Sequence, residues 1–199
     1  MIGSPMLHGL EAGFVLDRLW HWLRGEMEQT KRPGLVLLAR IFEEARVPYA
    51  IIEGVALQIH QTEPRTTLDI DVAVGSSAEI PRARLEAAGF RLTGRFTHSE
   101  NWTDPAGIPV QFTDDPALAG AVLRAEEIAV EDVRLRVIGR LDLLHEKLRA
   151  ASDPARRRSK RLQDLADAQA LLESTPALAS ALSSEASAGE RARLDRFPR

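Results

Sequence analysis

The segment from Tyr49 to Val74 constrains the fold more than any other part of the chain. It opens with a compact apolar run, Tyr49 to Ile52, which is typical of a buried strand, and Gly54 then precedes a short helical pattern over residues 55–60. It closes with the sequence TLDIDVAV, in which β-branched and apolar residues alternate with acidic ones. This order predicts a strand, a glycine turn, a helix and a second strand.

Two carboxylates lie on the second of these predicted strands, residues 67–74. Because successive strand side chains point to opposite faces, Asp69 and Asp71 share one face, about 6.5–7 Å apart along the backbone, while Ile70 and Val72 face the core. Paired carboxylates repel each other and are poor sheet formers. A divalent cation relieves that repulsion, and Mg²⁺ prefers one or two protein carboxylates together with phosphate oxygens. The pair therefore indicates a metal site that serves phosphate chemistry.

The same spacing also fits the polar outer face of an edge strand. For the bare Asp-x-Asp pattern this plainer interpretation is favoured, because the pattern is short and common. The upstream turn favours the metal site instead, since a strand that ends at a glycine and opens a helix can present backbone N–H groups to phosphate. Both interpretations stay open at this point.

Composition excludes several other kinds of site. The chain has 199 residues and no cysteine, which excludes disulfides, thiolate nucleophiles and thiolate metal sites. A formal net charge of -3 gives no overall field that favours nucleic acid or an anionic membrane, so a nucleic-acid partner would need a local patch. The one concentrated basic run is RRRSKR, residues 156–161. With neither a secretory signal pattern nor an apolar stretch long enough for a bilayer, we expect a cytoplasmic protein without membrane contact.

The remaining patterns predict a sheet flanked by helices. Apolar periodicity predicts helices over residues 11–27, 30–46, 80–88, 141–151, 160–172 and 177–183, with Trp20 in the core. Strands are predicted over residues 90–102 and 108–113, and one or two more within 127–138. The fold class expected is α/β (α+β), a mixed sheet with a helical C-terminal part. The chain then divides into an N-terminal helix (1–29), a core (30–138), C-terminal helices (139–183) and a flexible tail (184–199).

The central motifs resemble the nucleotidyltransferase superfamily, which includes DNA polymerase β, aminoglycoside nucleotidyltransferases and abortive-infection toxins. Its small prokaryotic members carry Gly-Gly-x-Ala, then His-Gly, then Arg-x-Thr-x-Asp-Ile-Asp. The matching residues here, in the same order and spacing, are Gly54-Val55-Ala56, His60 and Arg65-Thr66-Thr67-Leu68-Asp69-Ile70-Asp71. A weaker likeness to AbiEii-type toxins extends to a later helix with Lys147 and to the acidic residues Asp164 and Asp167 beyond it.

The resemblance implies a nucleotidyltransferase-like fold and a Mg²⁺- or Mn²⁺-dependent reaction. In that reaction a nucleoside monophosphate passes from a nucleoside triphosphate to an acceptor hydroxyl. The catalytic metal ligands would be Asp69 and Asp71, and the nucleotide-binding residues would be Gly54, Arg65, Thr67 and Lys147. The toxin members further imply an RNA acceptor, such as tRNA, and a partner antitoxin.

Two positions depart from the family pattern. The first glycine of the turn is Glu53 here, which would place a carboxylate beside a triphosphate. The third carboxylate of the family corresponds to Gln111, whose neutral amide binds Mg²⁺ more weakly and cannot act as a base. These departures favour one alternative, a catalytically degenerate relative that binds a nucleotide or a protein. A second alternative is a small-molecule (antibiotic) nucleotidyltransferase, which would differ only in its acceptor.

Overall fold

The computed structural model describes residues 5–24, 30–61 and 66–185. These residues form a mixed sheet of seven strands and eight α-helices, which confirms the predicted fold class. The helices are α1 (Pro5–Leu23), α2 (Arg32–Ala45), α3 (Glu53–His60), α4 (Arg82–Ala87), α5 (Ala119–Leu123), α6 (Arg140–Ser152), α7 (Arg158–Ser174) and α8 (Ala177–Glu185). The strands are β1 (Tyr49–Ile52), β2 (Ile70–Val74), β3 (Arg91–Phe96), β4 (Ser99–Thr103), β5 (Pro109–Thr113), β6 (Glu126–Val130) and β7 (Val133–Val137).

The chain forms two compact units that meet in sequence at Gly139. The N-terminal unit, residues 1–139, contains the sheet and α1–α5, and the C-terminal unit, residues 140–199, contains α6–α8. The predicted flexible tail over 184–199 lies almost wholly outside the described residues. None of the described helices has the length and apolar character that a membrane span requires.

The strand that contains Asp71, β2, lies in the middle of the sheet. The strand order is β3-β4-β5-β2-β1-β7-β6, and β2 is antiparallel to β1 and parallel to β5. Ile70 and Val72 are fully buried on one face of β2, where Phe112 of β5 stacks on Phe42 of α2. The edge-strand interpretation of the acidic pair is therefore wrong, because the strand has a hydrogen-bonded neighbour on each side.

Three sequence predictions differ from the structure. The single strand predicted over residues 90–102 is a hairpin, β3 and β4, whose two-residue turn at Thr97 and His98 lacks the glycine or asparagine that usually marks one. The strand predicted from residue 67 begins only at Ile70. Trp20, predicted in the core, is 42% exposed, whereas Trp102 is buried and donates its indole N–H to Glu100.

Candidate active site

The glycine turn brings the loop before β2 against the start of α3. Gly54 is buried in the first turn of α3, directly after β1. A Cβ atom on Gly54 would lie 2.3 Å from Thr67 Oγ1 and 2.5 Å from Thr67 Cβ, closer than atoms can pack. The absence of a side chain at position 54 is therefore what allows Thr67 to lie on the helix.

Thr67 connects this turn to the acidic pair. Its hydroxyl donates a hydrogen bond of 2.8 Å to Asp69 Oδ1. Asp69 is exposed and immediately precedes β2, and Asp71 is a half-buried residue of β2. Asp71 is the register partner of Ile52, the last residue of β1, so it also lies beside the start of α3. Both carboxylates thus lie next to the glycine turn, as a cation site for a polyphosphate requires.

A row of polar side chains continues from Asp71 across the sheet. Asp71 pairs in register with Gln111 of β5, which pairs in turn with Asn101 of β4. Residues paired in register share a face, and neighbouring strands lie about 4.8 Å apart. Gln111 therefore lies directly beside Asp71, at the position where the resemblance places a third carboxylate. The side-chain oxygen of Asn101 is buried and accepts no hydrogen bond from the described residues.

The donor set fits a cation that is shared with a nucleotide. Among the described residues there is no group of three or more His, Asp or Glu side chains that could enclose a metal ion. Asp69 and Asp71 are a pair, which is the number of carboxylates that Mg²⁺ commonly takes from a protein when phosphate oxygens complete its shell. The neutral amide of Gln111 could add a weaker oxygen ligand.

Glu53 has a left-handed backbone conformation, which glycine adopts more readily than a residue with a side chain. Its φ angle is +51°, in the left-handed region where a side chain is disfavoured. This conformation occurs at the first position of α3, where the family pattern has glycine and this chain has a carboxylate.

A buried lysine that the sequence did not point to supports the same loop. Lys31, at the N-cap of α2, is 1% exposed, and its ammonium donates to Asp17 Oδ1 and to the carbonyl oxygen of Thr67, each at 2.5 Å. Burial lowers the pKa of Lys31, whereas Asp17 and Asp69 favour its charged form. A signal did exist on α1, because Asp17 continues the buried positions Leu10 and Phe14 at helical spacing.

The sequence also singles out His60, Arg65 and Lys147. His60 is buried, with Nε2 at 2.6 Å from the carbonyl oxygen of Ile138, which is a structural role. Arg65 belongs to residues 62–65, outside the described part of the chain. In the C-terminal unit, the buried Lys147 ammonium lies 3.3 Å from Asp164 and 3.4 Å from Asp167. A nucleotide contact of Arg65 or Lys147 stays a prediction.

A family model matches most of the chain. The family model described as "Nucleotidyl transferase AbiEii toxin, Type IV TA system" matches residues 54–196. No curated protein sequence matches the chain.

Solved structures show the same fold at low sequence identity. An antigenic nucleotidyltransferase-like protein from Paracoccidioides brasiliensis superposes with a TM-score of 0.52 at 17% identity, covering 81% of this chain and 92% of its own. The antibiotic-resistance factor ANT(2'')-Ia, in complex with adenylyl-2''-tobramycin, superposes with a TM-score of 0.51 at 14% identity. The match covers 83% of this chain and 99% of that protein. The family model spans more than half of the chain and includes Gly54, Asp69 and Asp71. The chain therefore belongs to the AbiEii family of nucleotidyl transferases.

Proposed function

We propose that this protein is a Mg²⁺- or Mn²⁺-dependent nucleotidyltransferase that transfers a nucleoside monophosphate from a nucleoside triphosphate to an acceptor hydroxyl. The observation that carries the proposal is the placement of Asp69 and Asp71 beside the Gly54 turn, with Thr67 touching both the turn and Asp69. Membership of the AbiEii family supports nucleotidyl transfer as the reaction class.

The chain's own residues have distinct roles in this proposal. Asp69 and Asp71 would hold the cation, which would neutralise triphosphate charge when bound. The backbone N–H groups in the first turn of α3 would face the polyphosphate, because the positive end of a helix dipole favours phosphate. The acceptor oxygen bonds to the α-phosphorus as pyrophosphate leaves. Positioning and charge neutralisation supply most of the rate enhancement, as is general for phosphoryl transfer.

An RNA acceptor, such as tRNA, and a toxin role held in check by an antitoxin form the finer part of the proposal. The family description supports the toxin role. The exposed Arg157, Arg158 and Lys160 at the start of α7 give the local basic patch that RNA phosphates need on an otherwise acidic chain. Arg156 of the same run pairs with Asp164 at 2.7 Å and is less available to RNA.

A second candidate function is a non-catalytic nucleotide-binding protein. Gln111 favours it, because the residue directly beside Asp71 is a neutral amide. A small-molecule acceptor is the third possibility, and it would leave the metal chemistry unchanged.

The candidates are separated by one transfer assay. The protein is incubated with each α-labelled nucleoside triphosphate and Mg²⁺ or Mn²⁺, with total RNA or an aminoglycoside panel as acceptor. The variants are Asp69→Asn and, as a matched control, Glu86→Gln, which neutralises an exposed acid on α4. Label on RNA that is lost only in Asp69→Asn supports the proposal. Metal-dependent nucleotide binding without any transfer supports the non-catalytic nucleotide-binding protein. Label on an aminoglycoside supports a nucleotidyltransferase with a small-molecule acceptor.

A further inference from the structure

The ammonium group of Lys31 joins three parts of the N-terminal unit that are distant in sequence. Lys31 lies at the N-cap of α2, its partner Asp17 lies on α1, and the carbonyl that it binds belongs to Thr67 in the loop before β2. Both side chains are almost fully buried, Lys31 at 1% and Asp17 at 3% exposure. Lys31 binds the main-chain carbonyl of Thr67, so this contact fixes the backbone of the loop.

Thr67 carries that constraint to Asp69. Its carbonyl is held by Lys31, its hydroxyl donates to Asp69 Oδ1, and its side chain packs on Gly54. Leu68, the one residue between Thr67 and Asp69, is 49% exposed. The position of Asp69 therefore depends on Thr67, and Thr67 is anchored by Lys31.

Stability alone does not explain this buried ion pair. Removing two charges from water is costly, and apolar residues of similar volume often serve a core equally well or better. An ammonium group, however, can donate to a carboxylate and a carbonyl at once, with direction, which an apolar side chain cannot.

We propose that Lys31, itself held by Asp17, is a positioning residue that orders residues 67–69 before substrate arrives, so that Asp69 meets the cation in the correct place. This inference rests on the proposed function of Asp69 as a metal ligand. It predicts that loss of the Lys31 hydrogen bond weakens cation binding without unfolding the protein.

The test uses the full chain and the double variant Asp17→Leu/Lys31→Met. Replacing both partners leaves no unpaired buried charge, so the variant is expected to fold with a native-like circular dichroism spectrum. The single variant Lys31→Met is measured beside it. Arg40→Met is the matched control, because it removes a cation from α2 whose pair with Asp132 is exposed.

Two readouts other than activity are used. Mn²⁺ binding, followed by electron paramagnetic resonance with and without a non-hydrolysable nucleoside triphosphate, should weaken about tenfold in the double variant, as is common when a partner that orients a metal ligand is lost. Amide hydrogen exchange should become faster at residues 67–71. In transfer assays, kcat should fall more than KM for the nucleotide rises. Arg40→Met should match the wild type in all three.

The outcomes separate the two proposals. A folded double variant with wild-type Mn²⁺ affinity and wild-type exchange at residues 67–71 overturns the role of Lys31 and leaves the proposed function standing. Absence of Mn²⁺ binding and of transfer in the wild type overturns both.

Discussion

Glu53 takes a backbone conformation that costs a residue with a side chain about 1–2 kcal/mol relative to the right-handed region. Its carboxylate also stands at the first position of α3, where the proposed site places phosphate. Two effects, one conformational and one electrostatic, therefore act at the same residue.

The variant Glu53→Gly should show both effects. Relief of the left-handed conformation should raise the free energy of unfolding by up to about 1 kcal/mol, since the greater freedom of glycine in the unfolded chain offsets part of the gain. Removal of the charge should lower KM for the nucleoside triphosphate. Urea denaturation and steady-state kinetics measure the two. Arg46→Gly, at another positive φ of 56°, should stabilise without changing KM. An unchanged KM in Glu53→Gly would place this carboxylate away from the phosphates.

Substitution of Gln111 gives a test in which a gain of metal affinity and activity is expected. In Gln111→Glu a carboxylate stands in register beside Asp71, so Mn²⁺ should bind more tightly and transfer should become faster. Calorimetric titration with Mn²⁺ measures the affinity. The gain should vanish in the Asp69→Asn background, because the added carboxylate acts only together with the pair. Weaker Mn²⁺ binding in Gln111→Glu would mean that Gln111 does not occupy the third ligand position.

At the scale of elements, the site depends on the contact between α3 and the loop that enters β2. This contact is made across Gly54, whose missing Cβ leaves the space that Thr67 occupies. The loop and the helix start cannot both keep their places if that space is filled.

The variant Gly54→Ala should therefore displace Thr67 and, with it, Asp69. We expect a loss of about 1–3 kcal/mol in the free energy of unfolding, which is typical of overpacking, and a loss of transfer. Chemical denaturation and the transfer assay measure both. Gly107→Ala is the control: this glycine has a φ of +88° and no atom within 4 Å of an added Cβ, so its variant should lose stability through strain alone and keep transfer. Full activity in Gly54→Ala would contradict the geometry proposed for the turn.

Features of these elements that depend on neighbouring residues could be predicted from the sequence, whereas contacts between distant residues could not. The bounds of β1 were predicted because four apolar residues lie between Pro48 and a turn. Asp69 and Asp71 were singled out because they are only two residues apart in the sequence, although β2 begins between them at Ile70. The β3–β4 hairpin was missed, since its turn at Thr97 and His98 has no turn residues. The roles of Lys31 and Asp17 were missed because these two residues are 14 positions apart in the sequence. Thr67, which Lys31 also contacts, is 36 positions from it.

At the scale of the whole molecule, each compact unit contains a buried lysine in an ion pair, Lys31 with one carboxylate and Lys147 with two. In the C-terminal unit Lys147, at 2% side-chain exposure, lies between Asp164 and Asp167 and joins α6 to α7. These three residues are the ones that the resemblance grouped, so a structural role and a role toward nucleotide are both open to experiment.

The variant Lys147→Met separates the two roles. It removes the ammonium beside the buried Asp167, whereas Asp164 keeps Arg156 at 2.7 Å, so the free energy of unfolding should fall by about 3 kcal/mol. Thermal unfolding measures the loss. The triple variant Lys147→Met/Asp164→Leu/Asp167→Leu should recover much of it, because no buried charge remains unpaired. If the folded triple variant binds nucleotide more weakly than the wild type, the result supports a phosphate contact of Lys147. Wild-type nucleotide affinity would contradict such a contact.

The close packing of Thr67 on Gly54 also bears on how such a protein changes over evolutionary time. A descendant that gained a side chain at position 54 would have to draw the loop away, and no residue with a Cβ at position 67 would relieve the overlap, since the Cβ atoms themselves would lie 2.5 Å apart. Among homologues, retention of this one glycine should therefore mark the lineages under selection for transfer, and its replacement should accompany free drift at positions 69 and 71.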